Sequence, residues 1–116
     1  MSERLPLNDS DLVTLLAILR LGDEAYGVSL CKEIGSITGT GAALASVYKA
    51  LDRLEQSGLV VSRMGEPSPE RGGRAKRLVR VTAKGLRAID ETRAALNDLW
   101  RDVPVYGSIA QKEKSR

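Results

Sequence analysis

The sequence predicts a mainly α-helical (α+β) fold: a three-helix core, a two-stranded hairpin, and one further helix behind them. Three observations predict it. The stretch from Ser46 to Val60 carries Val47, Leu51 and Leu54 on one side at helical spacing, with Gly58 as a stop. Two strand-like runs follow, Leu59 to Met64 and Lys76 to Val81, and between them Gly65 to Ala75 holds two prolines and three glycines. Strand interiors do not tolerate that composition, so this is the tip of a long hairpin. From Arg63 to Arg80 six basic residues (Arg63, Arg71, Arg74, Lys76, Arg77, Arg80) face two acidic ones (Glu66, Glu70), a surplus of four in a chain whose net charge is +3. A helix followed by a cationic, glycine-containing hairpin is the order of a winged helix-turn-helix, and such a hairpin suits a phosphate backbone.

Each element can be justified in turn. Residues before Asn8 read as an arm with Leu5 and Leu7 able to pack. Asn8, Asp9 or Ser10 can cap a first helix running to about Leu21. Its residues Leu12, Val13, Leu15, Leu16, Ala17, Ile18 and Leu19 make it apolar on nearly every side, which predicts a helix sandwiched between the core and a second subunit. Gly22-Asp23 breaks it. A second helix is predicted from about Tyr26 to Thr38, burying Leu30, Cys31, Ile34 and Ile37, and Gly39-Thr40-Gly41 turns the chain into a third helix starting near Ala43. After the hairpin, Thr82 can cap a fourth helix reaching about Arg101, with Leu86, Ile89, Leu96 and Trp100 on one seam, interrupted by Arg93 and widened by Leu99. A seam of this kind points to helix association. The expected organisation is a DNA-binding unit over residues 1–82, a dimerisation helix over 83–102 and a flexible tail over 103–116.

Composition narrows the function. The 116 residues support one domain with a modest core. There is no histidine and a single cysteine, which excludes a Ser-His-Asp triad, a Cys-His pair and the common zinc sites. No enzymatic activity, metal or cofactor is expected. Cys31 lies among apolar neighbours and reads as packing rather than as a redox sensor. Without a disulfide framework the chain fits a reducing cytoplasm. Met1-Ser2-Glu3-Arg4 lacks a signal-peptide layout, and the apolar run Leu12 to Leu19 is too short to span a bilayer, so no membrane partner is expected. With few aromatic residues and no phenylalanine, stacking on single strands is disfavoured.

The third helix carries a second, non-core face. Ser46, Lys49, Ala50 and Arg53 fall at i, i+3, i+4 and i+7. Small and cationic side chains there suit a helix laid in the DNA major groove. Lys49 is the candidate for a base edge. Arg53, one turn on, is the candidate for a phosphate, and Tyr48 flanks the buried seam with its hydroxyl able to reach one. Arg71, Arg74 and Lys76 lie around Gly72-Gly73, a pair that lets the backbone approach phosphates closely.

On these motifs the sequence resembles the PadR family of bacterial transcriptional regulators, over roughly Leu12 to Leu96. The resemblance is carried by Leu16-Ala17-Ile18-Leu19, Ala25-Tyr26-Gly27-Val28, Ser46-Val47-Tyr48 with Leu51-x-x-Leu54-Glu55, Gly58-Leu59-Val60, and most specifically the wing from Gly65 to Arg77. It implies a homodimer, joined by the carboxy-terminal helices and the first helix, that binds a palindromic operator in double-stranded DNA, usually as a repressor. It implies DNA contacts at Ser46, Tyr48 and Lys49 and in the wing at Arg71, Gly72, Gly73, Arg74 and Lys76. Ala43 stands where many members have Ser or Thr, so a phosphate hydrogen bond there is either missing or supplied by Thr40. Leu78 and Val79 replace aromatic residues common after the basic cluster, and one carboxy-terminal helix stands in place of two.

The expected dimer surface is Leu86, Ile89, Leu96, Leu99 and Trp100. Trp100, the one tryptophan, is also the candidate for stacking on a small aromatic effector, against the plainer reading of an interface anchor. The competing function is a winged-helix protein-interaction module whose basic wing serves only solubility.

Overall fold

The first helix begins where its cap dictates. Asn8 has extended backbone and its side chain accepts the Asp11 N–H at 2.8 Å, so α1 runs Asp9–Leu21. The computed structural model describes residues 7–66 and 75–104. A short 3-10 turn, Gly22–Glu24, leads into α2, Gly27–Thr38, for which Tyr26 is the capping residue rather than the first helical one. The Ser29 hydroxyl accepts the Tyr26 N–H at 3.0 Å there. Gly39, in the left-handed region, closes α2. α3 spans Leu44–Gln56, and Gly58 at φ 78° turns the chain into the hairpin. Strands β1, Val60–Met64, and β2, Arg77–Val81, pair antiparallel with Val60 opposite Val81 and Met64 opposite Arg77. α4, Ala83–Trp100, starts at the expected cap: the Thr82 hydroxyl accepts the Gly85 N–H and donates to the Gly58 carbonyl.

The core is aliphatic. Leu15 and Ile18 of α1, Leu30 of α2, and Leu51 and Leu54 of α3 are fully buried, together with Val60, Val79 and Val81 from the hairpin's inner face. Each such side chain contributes about 1.5–3 kcal/mol on leaving water. The hairpin is tied into this core by the Val79 N–H, which donates to the Ala25 carbonyl at 3.0 Å. Leu7 packs on the core, and its N–H donates to the buried Thr92 hydroxyl of α4. Lys84 reaches back to the Ser57 carbonyl at the carboxy-terminal end of α3, where a cation is favoured.

Two expectations about burial need correction. Ile37 does not join the core: it is 61% exposed, at the rim of an open groove that it shares with Val13 and Leu16 of α1, while Cys31 and Ile34 are half-buried. Ala50 does not belong to an open face of α3: it is 3% exposed and turned inward with Val47, Leu51 and Leu54. The apolar excess of α1 resolves into two faces, Leu15, Ala17 and Ile18 inside and Leu16 and Leu19 exposed.

Candidate nucleic-acid interface

With Val47, Ala50, Leu51 and Leu54 buried, the helical repeat puts Ala45, Lys49, Asp52 and Gln56 along the outward midline of α3. Lys49 is therefore the cation at the centre of the exposed face. Ser46 and Arg53 flank it on the side of α1. Ser46 borders a shallow groove with Asp9, Val13 and Thr14, and Arg53 forms an ion pair with Asp11 at 2.5 Å. That hydrogen bond, reinforced by the Asp11 charge, pushes the already high Arg53 pKa further up. Arg53 thus spends one edge of its guanidinium on α1, a commitment that spacing alone does not reveal.

Tyr48 and Glu55 flank Lys49 on the opposite side, toward the start of α2 and the wing. Tyr48 is 39% exposed, and its ring lies directly over Gly27. A Cβ at residue 27 would stand 2.7 Å from the Tyr48 Cε1, Cζ and Oη atoms. The glycine of the Ala25-Tyr26-Gly27-Val28 motif is thereby explained as space for a tyrosine on another helix. Next to it, Lys76 at the root of the wing sits over the Tyr26 ring, 4.5 Å from its centroid. Tyr26, Gly27, Tyr48, Lys76 and Arg77 line one open cleft of about 530 Å³. Two expected DNA-contacting residues from distant parts of the chain, Tyr48 and Lys76, are brought together there.

The hairpin divides its charges. Strand alternation puts Arg77, Val79 and Val81 on the inner face and Leu78 and Arg80 on the outer one. Arg77 therefore points at α3, where it meets Asp52 and Glu55 at 3.1 and 2.6 Å. The hydrogen bond from Arg77, then that from Ser62, holds the Glu55 carboxyl below its ordinary range. Arg63 and Arg80 line a different groove on the outer face with Leu19, Val61 and Leu86. Arg71, Gly72, Gly73 and Arg74 lie outside the described residues. Thr40 is exposed in the turn before α3, its N–H and carbonyl both engaged by the Thr38 hydroxyl, and Ala43 caps α3 without a side-chain hydrogen bond.

Of the expected dimer residues, Leu86, Leu96, Leu99 and Trp100 are exposed along α4, whereas Ile89 packs on its own core. Burial raises the Cys31 thiol pKa, in keeping with packing. Among the described residues, no group of three or more His, Cys, Asp or Glu could hold a metal ion, and no helix is long and apolar enough to cross a membrane.

A recognition helix beside a two-stranded wing, both anchored to a three-helix core, defines a winged-helix DNA-binding fold. Within that class the chain belongs to the Transcriptional regulator PadR-like family, whose sequence model matches residues 15–91. It is 37% identical over 81 residues to the transcriptional regulator Rv3488 of Mycobacterium tuberculosis, covering 70% of this chain and 71% of that protein. Among solved structures it resembles a PadR family transcriptional regulator from Eggerthella lenta, 25% identical with a TM-score of 0.57, covering 87% of this chain and 83% of the other. It also resembles part of the Aeropyrum pernix ORC1 protein in complex with DNA, 25% identical with a TM-score of 0.59, covering 74% of this chain and 23% of that one. The family and the Mycobacterium relative are transcriptional regulators, not enzymes.

Proposed function

We propose that this protein is a sequence-specific transcriptional repressor that binds double-stranded DNA as a homodimer on a palindromic operator. The observation that carries the reading is the cleft shared by Tyr48 of α3 and Lys76 of the wing root, beside Lys49 on the outward midline of the same helix. A helix entering the major groove would bring Lys49 and Ser46 to base edges. The same approach would bring the Tyr48 hydroxyl and Lys76 to the flanking phosphates. Thr40, Arg71, Gly72, Gly73 and Arg74 extend the phosphate contacts, and Arg53 joins them only with donors that Asp11 does not take. DNA as the partner is also supported by the fold of the ORC1 segment, since that protein was solved in complex with DNA.

Pairing draws on exposed apolar side chains, Leu86, Leu96, Leu99 and Trp100 of α4 with Leu16 and Leu19 of α1. A two-fold dimer would set two recognition helices about one DNA turn apart, roughly 34–36 Å. Trp100 serves this pairing as an anchor in preference to a planar aromatic effector, because α4 offers it no second aromatic ring and carries Arg93 on the same seam.

Selection of bound duplexes from a random library tests the reading. Enrichment of a palindrome, with affinity falling steeply with salt, supports it; no enrichment and no salt dependence would leave a protein-interaction module. Lys49→Ala should cost roughly 1–3 kcal/mol on the selected site and relax preference at one base pair. Equal loss on every sequence would reassign Lys49 to a phosphate.

A further inference from the structure

We propose that Arg77 is a positioning residue that locks the wing to the recognition helix, so that both meet DNA at one fixed angle. The inference rests on the DNA-binding reading above. Arg77 opens β2 on the inner face of the hairpin, and its two terminal nitrogens reach separate carboxylates of α3, Asp52 Oδ1 at 3.1 Å and Glu55 Oε1 at 2.6 Å. Asp52 and Glu55 are three residues apart and share a helix flank. Glu55 also accepts the Ser62 hydroxyl of β1, at 2.9 Å on Oε1 and 3.1 Å on Oε2. One carboxylate of α3 thus holds both strands of the wing.

The lock sits at the far end of the paired strands, where Arg77 lies opposite Met64 and the Gly65 N–H to Lys76 carbonyl bond of 2.7 Å ends the described pairing. A hold on both strands at that distance from the Val60–Val81 end fixes how the strand pair lies against α3. These ion pairs are half-exposed, and pairs of that kind contribute little to stability, so their loss leaves the domain folded. What they supply is geometry. Two carboxylates on a helix that approaches a polyanion oppose binding by repulsion. Their hold on the wing must contribute more than that repulsion if they are to favour binding.

The test uses the full chain and the duplex that the unaltered protein selects, with dissociation constants measured over a salt series and folding followed by thermal melting. Glu55→Ala removes a negative charge at an exposed helical position, so simple electrostatics predicts tighter binding. A positional lock predicts binding weaker by about five- to tenfold. Arg77→Met keeps the aliphatic stem and should weaken binding by a similar factor with the salt slope unchanged, and the double variant should be little weaker than either single one. Tighter binding by Glu55→Ala, or a slope reduced by about two units in Arg77→Met (about one per protomer), would overturn the proposal, the latter making Arg77 a phosphate contact. Should Arg77→Met fail to fold, Glu55→Ala decides alone. Failure of the unaltered chain to bind duplex DNA would refute the DNA-binding reading itself, which separates the two failures.

Discussion

Replacing Gly27 by Ala should weaken DNA binding while leaving the domain folded. The added methyl would sit 2.7 Å from the end of the Tyr48 ring, whereas ordinary contact begins at 3.4 Å, so ring or backbone must give by at least 0.7 Å. The ring is the softer of the two, since it is 39% exposed and can swing outward. Gly27 is absent from the left-handed glycines, so alanine fits its backbone. Helix propensity favours Ala over Gly by up to about 1 kcal/mol, less at a first helical position, and offsets part of the strain. The net change in stability should stay within about 1 kcal/mol.

The hydroxyl, however, moves with the ring. A hydrogen bond to a charged acceptor is worth about 1.5–3 kcal/mol, and a displacement of that size takes it out of range. Affinity for the operator should therefore fall by about ten- to a hundredfold. Fluorescence anisotropy on labelled duplex measures this, and a double-mutant cycle with Tyr48→Phe assigns the cause. If Gly27→Ala costs as much in the Tyr48→Phe background as in the original protein, the loss does not run through the hydroxyl and the reasoning fails.

Gly85 gives the opposite outcome. A Cβ there would fall on the Leu59 carbonyl oxygen and the Val81 side chain, neither of which can swing aside, so Gly85→Ala should lower stability by about 2–4 kcal/mol, read by chemical denaturation. The pH dependence of DNA binding should be level from about pH 8 to pH 5, since the chain has no histidine. Glu55 has a depressed pKa in the folded state, so its contribution is present above the unfolded value and disappears only as pH falls through the folded one. A binding midpoint near neutrality would contradict this assignment.

Most of the fold was legible because its punctuation is chemical. Asn8 and Thr82 announce helix starts, Gly39 and Gly58 announce stops, and the Pro- and Gly-rich segment after Met64 announces the hairpin. Direction was harder. Ile37 continues the apolar spacing of α2, but spacing does not say whether a side chain is enclosed or left at the rim of a groove. Spacing groups Ala50 with Ser46 and Lys49 because i, i+3 and i+4 positions adjoin. An alanine at the border of two faces carries no signal about which one it joins. Gly27 was visible as part of a motif, yet its reason is a ring from another helix. Arg77 differs from the other wing cations in its partners on α3, which composition does not reveal. Its alternation with Val79 and Val81 was the available signal that it faces inward.

That division of the wing charges bears on how strongly the protein can depend on salt. Were the six cations from Arg63 to Arg80 and the two of α3 all on phosphates, a dimer would make sixteen contacts and show a slope near −14, at about 0.9 per contact. Arg77 is neutralised by two carboxylates, Arg53 is paired with Asp11, and Arg63 and Arg80 border the outer groove beside α1 and α4. Even with Lys49 counted as a phosphate contact rather than at its base edge, only Lys49 and Lys76 remain with Arg71 and Arg74, four per protomer at most. A dimer engaging all of these would show a slope of about −7. Measuring binding over a salt series, from dilute buffer to beyond the physiological range, distinguishes the two. A slope near −14 would mean that the ion pairs of Arg53 and Arg77 are given up on DNA, and with them the fixed angle between helix and wing. A slope near −7 fits a reader that keeps those pairs closed when it binds.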